Sequence, residues 1–334
     1  MNSGSAVPDF GLVNPIIEQE NRSQPENSEV EYRNAWLKSL QGRTLSETEQ
    51  RAYSTASTSA LPIIPEATAN AIIKKIYEVA PIIQKCKIFH VPGNFKFAVE
   101  KSNDEAAKHT ENANITAAGD DLGSVSLTGY EIVKLVKASR ASSEMALSAF
   151  ESYIVEIIAD SIARKIENYI FIGTGSSQPG GVAQGGKGAS GAYANNTDQI
   201  TVATATTVTT EDVTKWYGLL GSGYERNAVA CMNKQTFFKD FYPLMNKGKN
   251  NIIEFANGKY YIMGVEVYFT GSLGAGIAYM GDFSYIVGNY SQDITVVKSE
   301  HSGLSTNSID YLGSCVFDSK AVAGLGAFIK FIHS

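Results

Sequence analysis

The stretch Leu147-Ser-Ala-Phe-Glu-Ser-Tyr-Ile-Val-Glu-Ile-Ile-Ala-Asp-Ser-Ile-Ala-Arg-Lys-Ile-Glu-Asn-Tyr-Ile-Phe-Ile-Gly-Thr-Gly-Ser-Ser-Gln-Pro-Gly-Gly181 decides how this chain is read. Leu147, Phe150, Ile154, Ile157, Ile158, Ile162, Ile166, Tyr169 and Ile170 recur at helical spacing. Glu151, Glu156, Asp160, Arg164, Lys165 and Glu167 fill much of the remaining surface. The pattern predicts one helix over residues 143–170, roughly 40 Å long at about 1.5 Å per residue. A rod of that length can be the backbone of a domain. It ends in a glycine-rich turn, Gly173 to Gly181.

Beyond the turn, residues 182–210 are small and polar, and Thr201 to Thr207 suggests a strand or an extended loop. A helix follows Thr210, with Val213, Trp216, Tyr217 and Leu220 on one face. Residues 227–232 read as a buried strand. Asn233 can N-cap a helix carrying Phe237, Phe238 and Phe241. Val265, Val267 and Phe269 alternate, as do Ile294 and Val296, whereas alternation is weaker from residue 309 on.

Upstream, Phe95, Phe97 and Val99 alternate with polar residues, and so do Val125 and Leu127. Between these runs lies a polar stretch, Lys101 to Gly123, carrying Asp104, Glu105, Glu111, Asp120 and Asp121. This predicts a long hairpin with a solvated tip. A two-stranded ribbon is marginal alone in water, so it is expected to find a partner surface outside its own globule. Residues 31–53 read as two short helices. Trp36, Leu37 and Leu40 share a face of the first, Gly42 closes it, and Ser46 with Glu49 forms a capping box for the second. Ile72, Ile73, Ile76, Tyr77 and Ala80 form a further helical stripe that opens after Pro65. Residues 1 to about 30 are polar and irregular, an arm that must lie on its own globule or on a neighbour. Strands and helices mix without a regular βαβ repeat, so the fold class is α+β.

Composition narrows the function. A net charge of -6 argues against a dominant basic surface for nucleic acid. Cys86, Cys231 and Cys315 are widely spaced without a CxxC pair, which favours reduced thiols in a cytosolic compartment. The first ten residues have no signal-peptide pattern, and no apolar run reaches about 18 residues, so no membrane partner is expected. Gly181-x4-Gly186-Lys187 resembles the start of a phosphate-binding loop, but Gly188 stands where Ser or Thr would hold magnesium. It reads as a Gly-rich loop. His90, His109, His301 and His333 lack metal-ligand spacing, and no GxSxG elbow is present. The pair Asp120 and Asp121 reads as solvated charge. No catalytic, cofactor-binding or metal-ligating residue is therefore nominated, and no enzyme activity or cofactor is expected. The 17 Tyr and 15 Phe fall mostly on apolar faces, as core or subunit-interface packing rather than base-stacking platforms.

The order of these elements resembles the major capsid proteins of tailed bacteriophages with the Hong Kong 97-type fold. Leu61-Pro-Ile-Ile-Pro-Glu66 looks like the entry into the family's first core helix, and Glu78-Val-Ala-Pro-Ile-Ile83 like its exit. Phe95-Lys-Phe-Ala-Val99 resembles the start of its extended loop, and Leu127-Thr-Gly-Tyr-Glu-Ile-Val-Lys134 the return. Val136-Lys-Ala-Ser-Arg140 precedes the spine helix, which ends at Ile170-Phe-Ile-Gly-Thr-Gly175 followed by Gln178-Pro-Gly-Gly-Val182. Met232-Asn233 with Thr236, Met263-Gly-Val-Glu-Val267 and Met280-Gly-Asp-Phe-Ser284 resemble steps of its axial domain.

The resemblance implies an N-terminal arm over 1–60, the start of a peripheral domain over 61–90, and an extended hairpin loop over 91–137. It places the peripheral domain with its spine helix at 138–200 and an axial domain mainly at 201–305. C-terminal strands over 306–334 return to the peripheral domain. It further implies a homo-oligomer of hexamers and pentamers tiling an icosahedral phage head. Double-stranded DNA would be enclosed without specific binding. A scaffolding protein, a portal and a decoration protein are the further partners, with assembly in the bacterial host cytoplasm and residence in the virion.

Two departures from the family give expectations. Only about 55–60 residues precede the match, so the N-terminus is expected to escape processing. The type member joins a loop lysine to a neighbour's asparagine. Here Lys101 and Lys108 do not align convincingly, Ile309 stands at the asparagine position and Asn307 is displaced, so no isopeptide bond is expected. The rival readings are an encapsulin-like compartment shell, a soluble α+β enzyme, and a minor virion or adhesion protein.

Overall fold

The computed structural model describes residues 25–56, 64–102, 121–139, 144–184, 199–203, 205–245, 251–299, 308–322 and 326–333. Helices α1 (Pro25–Gln41), α2 (Glu47–Ala56) and α3 (Glu66–Val79) lead into the short strand β1 (Lys87–Phe89). A hairpin follows, β2 (Phe95–Ser102) and β3 (Asp121–Leu127), then β4 (Tyr130–Ser139) and the long helix α4 (Leu147–Ile172). Next come β5 (Gln199–Val202), α5 (Thr210–Gly218) and β6 (Val229–Met232). The helical turn α6 (Lys234–Thr236) continues as a π turn over Phe237–Phe241. The rest is strand: β7 (Ile253–Ala256), β8 (Lys259–Ile262), β9 (Val265–Phe269), β10 (Ile277–Gly281), β11 (Ile286–Ser299), β12 (Ser308–Ala321) and β13 (Phe328–His333).

The strands form a four-stranded sheet ordered β1-β11-β12-β4, a seven-stranded sheet ordered β5-β13-β10-β6-β9-β8-β7, and the two-stranded ribbon β2-β3. Both larger sheets are mixed: β1 runs parallel to β11, and β5 to β13 and β6 to β9. Helix α4 lies on the four-stranded sheet and buries Phe150, Ile154, Ile158, Ile162, Ile166 and Ile170. Its close approach needs Gly313 on β12, where an added Cβ would sit 2.5 Å from the Ile158 side chain. A second core, built on Trp216, Phe237, Phe241, Ile329 and Phe331, fills the seven-stranded unit.

The fold is α+β, as the pattern predicts, and α4 spans nearly the predicted residues. Four placements differ from the sequence reading. Helix α1 begins at Pro25, inside the stretch read as irregular, and α1 and α2 pack on their own globule, one of the two surfaces left open for the arm. The physical reason is the apolar face: Ala35, Trp36, Leu37 and Leu40 are all buried. Residues 130–137, read as the end of the hairpin loop, pair with β12 together with Ala138 and Ser139, ten positions in all, and belong to the four-stranded sheet. Residues 286–299, grouped with 201–285, also pair there, while residues 328–333, grouped with the strands before them, pair inside the seven-stranded sheet. Period-two alternation shows which face of a strand is buried and is silent on which sheet receives it.

Candidate assembly site

The hairpin β2-β3 is the least supported regular element. Phe95 faces Leu127 and Phe97 faces Val125 across the ribbon, and no third strand joins it among the described residues. Its ladder runs from Phe95 opposite Leu127 to Ser102 opposite Asp121, with a register shift between Glu100 and Ser102. The predicted tip, with Asp104, Glu105, Lys108, His109, Glu111 and Asp120, lies outside the described residues.

The root of this ribbon is held by two buried polar side chains. Asn289 on β11 and Asp318 on β12 are direct partners in the sheet and are 0% and 1% exposed. Asn289 Oδ1 accepts from the Val91 N–H at 2.9 Å, and its Nδ2 donates to the Val91 carbonyl at 2.9 Å. Asp318 Oδ2 accepts from the Thr128 N–H at 2.9 Å and Oδ1 from the Ser319 N–H at 2.8 Å. Lys320 Nζ donates to the Ser126 carbonyl. The outgoing and returning legs are thus fixed by neighbouring residues of one sheet. Gly129 completes the exit: its φ is 86°, and a Cβ there would meet Val316 at 2.5 Å. Burial pushes the Asp318 carboxyl above its ordinary range, against the pull of the hydrogen bonds from Thr128 and Ser319 and of the nearby Lys320 charge.

The glycine-rich end of α4 is a second fixed corner. Gly173 N–H donates to the Tyr169 carbonyl and Gly181 N–H to the Gly173 carbonyl. A Cβ on Gly181 would lie 2.1 Å from the Tyr169 oxygen. Gly180 exchanges hydrogen bonds with Ser319 at 2.7 Å in both directions, which ties the turn to β12. Gly181 is therefore a packing glycine. Gly186 and Lys187 of the phosphate-loop resemblance lie outside the described residues.

Glu151 joins three helices. It accepts from Arg33 of α1 through both carboxylate oxygens and from Thr68 of α3 at 2.6 Å. Gln41 and Arg43 donate to the Met145 carbonyl, and Tyr311 donates to the Leu40 carbonyl. Helix α1 is thereby locked to α4 and β12, and α3 to α4.

Two apolar surfaces remain open. On the outer face of the four-stranded sheet, Val133 and Leu135 are about half exposed beside Leu312, the cross-strand partner of Leu135. At the β7 end of the seven-stranded sheet, aromatic rings cluster at the surface.

Two histidines pair with carboxylates. His90 bonds Asp293 at 2.7 Å, and its ring stacks on Tyr290. His333 bonds Asp240 at 2.8 Å and the Thr206 carbonyl at 3.0 Å. Cys231 and Cys315 are buried, and all three thiols are free. Burial pushes the Cys315 thiol up to about 12 and raises Cys86 and Cys231 as well, which disfavours the reactive thiolate. Among the described residues no three His, Cys, Asp or Glu group as a metal site, and no helix is long and apolar enough to cross a membrane. His109 and His301 lie outside the described residues, as do Lys108 and Asn307. Ile309 is buried on the α4 side of β12 and pairs with Ala138.

The family model for the phage capsid family matches residues 62–330. No curated protein matches the chain. Among solved structures, the capsid of an empty GTA particle, computed with C5 symmetry, matches with a TM-score of 0.56 at 19% identity, covering 76% of this chain and 90% of that one. A chain of Mycobacterium phage Bobi matches with a TM-score of 0.53 at 15% identity, covering 76% and 90%. A virus-like particle from Pyrococcus furiosus matches with a TM-score of 0.51 at 9% identity, covering 80% and 98%. At these identities the three structures establish the Hong Kong 97-type fold and nothing finer. The family match over most of the chain decides the rest: this protein belongs to the phage capsid family, and it is a structural major capsid protein, a virion component that assembles with others into a shell of capsomers.

Proposed function

We propose that copies of this chain form the hexamers and pentamers of an icosahedral head enclosing double-stranded DNA, with no catalytic role. The observation that carries this reading is the hairpin: a ribbon that no third strand joins among the described residues, clamped at both legs. It is a projecting element whose direction is fixed before it meets anything. Its partner is an adjacent copy, across which it lies. The seven-stranded unit acts as the axial domain, and α4 with the four-stranded sheet as the peripheral domain. Obligate interfaces burying about 2,000–5,000 Å² each outweigh the entropy of association when repeated around a shell. A net charge of -6 suits a container that holds DNA without gripping it. A scaffolding protein, a portal and a decoration protein complete the head.

A compartment shell is the second reading, because the fold alone, shared with a virus-like particle from Pyrococcus furiosus, does not separate it from a phage head. Negative-stain electron microscopy with sedimentation velocity on the expressed chain tests the proposal. Closed shells, tubes, or rings of five or six copies are expected, with scaffold co-expressed where needed. A monomer at every concentration, with and without scaffold, would overturn it. Nuclease-protected DNA in particles purified from infected cells separates the head from a compartment packed with protein cargo.

A further inference from the structure

The core of the seven-stranded unit does not close at its β7 end. Phe237 is 0% exposed, and its ring lies 5.3 Å from Phe238, 4.7 Å from Tyr260 and 5.3 Å from Phe269. Tyr242 packs on Phe238 at 5.3 Å, and Phe255 on Tyr260 at 4.8 Å. Six rings therefore form one connected cluster. Four of them stand in solvent: Phe238 at 40%, Tyr242 at 44%, Phe255 at 53% and Phe269 at 36% exposure. Every large apolar side chain exposed on the described part of this unit falls in the cluster, so chance scatter of surface hydrophobics does not account for it.

At about 200 Å² per aromatic side chain, these exposures leave roughly 350 Å² of ring surface open. That is the size of a functional patch on a monomer. It is less than the roughly 800 Å² per partner of a standard interface, and matches the aromatic centre of one. The patch borders β7, whose outer edge has no partner strand among the described residues. An exposed hydrophobic edge invites pairing unless it is covered.

We propose that this aromatic cluster is the contact through which the seven-stranded units of adjacent copies hold together within a capsomer. The occupant is a second copy of this chain, because the chain builds a shell of capsomers. The four-stranded unit has its hairpin and the Val133–Leu135 face to offer, whereas the seven-stranded unit offers only this cluster among its described residues. In a ring of five or six the contact is heterologous, so the rings meet a different surface of the neighbour and need no self-complementarity. The inference rests on the shell reading above.

The test uses the full chain carrying Phe238→Glu together with Phe255→Glu. The variant is expected to keep the circular dichroism spectrum of the wild type while remaining monomeric by sedimentation velocity. Its assembly threshold should rise at least tenfold. If the double variant fails to fold, the single change Phe255→Lys, at the most exposed ring, carries the same expectation. In parallel, p-benzoylphenylalanine at position 255 should cross-link copy to copy in wild-type-like shells and not in dilute monomer. Rings and shells at the wild-type threshold would overturn the inference and leave the shell reading intact. So would cross-linking to a different protein, or none in assembled particles. A wild-type chain that never assembles would overturn both.

Discussion

The two sheets differ in what they bury. The strands of the seven-stranded sheet bury apolar and aromatic side chains, with Trp216 against Phe241 at 5.8 Å and against Phe331 at 5.5 Å, and the unit's buried Thr236 and Asp240 lie in the helical turns outside those strands. The four-stranded sheet is built from strands of up to 14 residues and buries Asn289, Asp310, Asp318 and Ser319 within β11 and β12. Apolar burial is non-directional and sets stability. A buried polar group stabilises little on net, yet it is costly to leave unsatisfied, so it fixes which backbone atom lies beside it. The difference teaches a division of labour: one sheet holds a rigid body together, and the other aims a hairpin and a helix turn.

The sharpest way to break this comparison is to damage each core by its own chemistry. Trp216→Ala removes a fully buried indole from the seven-stranded unit and should cost about 3–5 kcal/mol of unfolding free energy. Urea denaturation checks the magnitude, and hydrogen exchange over residues 87–102 should stay at wild-type rates in conditions where the protein remains folded. Loosening of that segment would mean that the two units are not separable bodies.

Asn289→Ala is the counterpart on the other side. It orphans the N–H and carbonyl of Val91 and should cost about 1–3 kcal/mol. Its signature is local: faster exchange from Val91 through Ser102, little change in the seven-stranded unit, and assembly that is slowed or misdirected. A uniform loss of protection would show that Asn289 supports the core generally and does not aim the ribbon.

Much of this architecture is legible in the sequence, and what is not follows a physical pattern. Helix α4 announces itself because its buried positions are isoleucines at helical spacing, and its end because only glycine fits at Gly173 and Gly181. The capping box of Ser46 and Glu49 is present in both directions. Strand β12 is harder to see: every second residue, Ile309, Tyr311, Gly313, Cys315, Phe317, Ser319 and Ala321, is buried, but Asp310 and Asp318 between them are buried as well. Gly, Ser and Cys occupy inward positions that a hydrophobic pattern does not count. The clamp residues Asn289 and Asp318 carry no sequence signal, because a polar residue in a strand reads as facing water. Their role comes from being opposite one another beneath two chain segments almost 200 positions away, a fact of topology. The six rings of one patch lie on the π turn, on Tyr242 just after it, and on β7, β8 and β9, so the open cluster at β7 is likewise invisible until the sheet order is known.

The smallest expected effect concerns the charge of Asp318. Burial raises its pKa above the ordinary value of 3.8, outweighing the hydrogen bonds that favour the carboxylate. A carboxyl with a raised folded-state pKa binds its proton more tightly folded than unfolded. Its contribution to stability is therefore largest below the unfolded value and declines as pH rises from there through the folded value. Asp318→Asn keeps one side-chain oxygen as an acceptor at the root of the hairpin and cannot titrate. At neutral pH it should change stability by about 1 kcal/mol or less, the orphaned N–H being offset by removal of a poorly solvated charge. On acidification the wild type should gain stability relative to the variant. Urea denaturation of both proteins at pH 7 and at pH 4 reads this directly. A deficit that is instead larger at neutral pH would mean that the hydrogen bonds from Thr128 and Ser319 dominate, making the clamp a charged anchor rather than a buried neutral one.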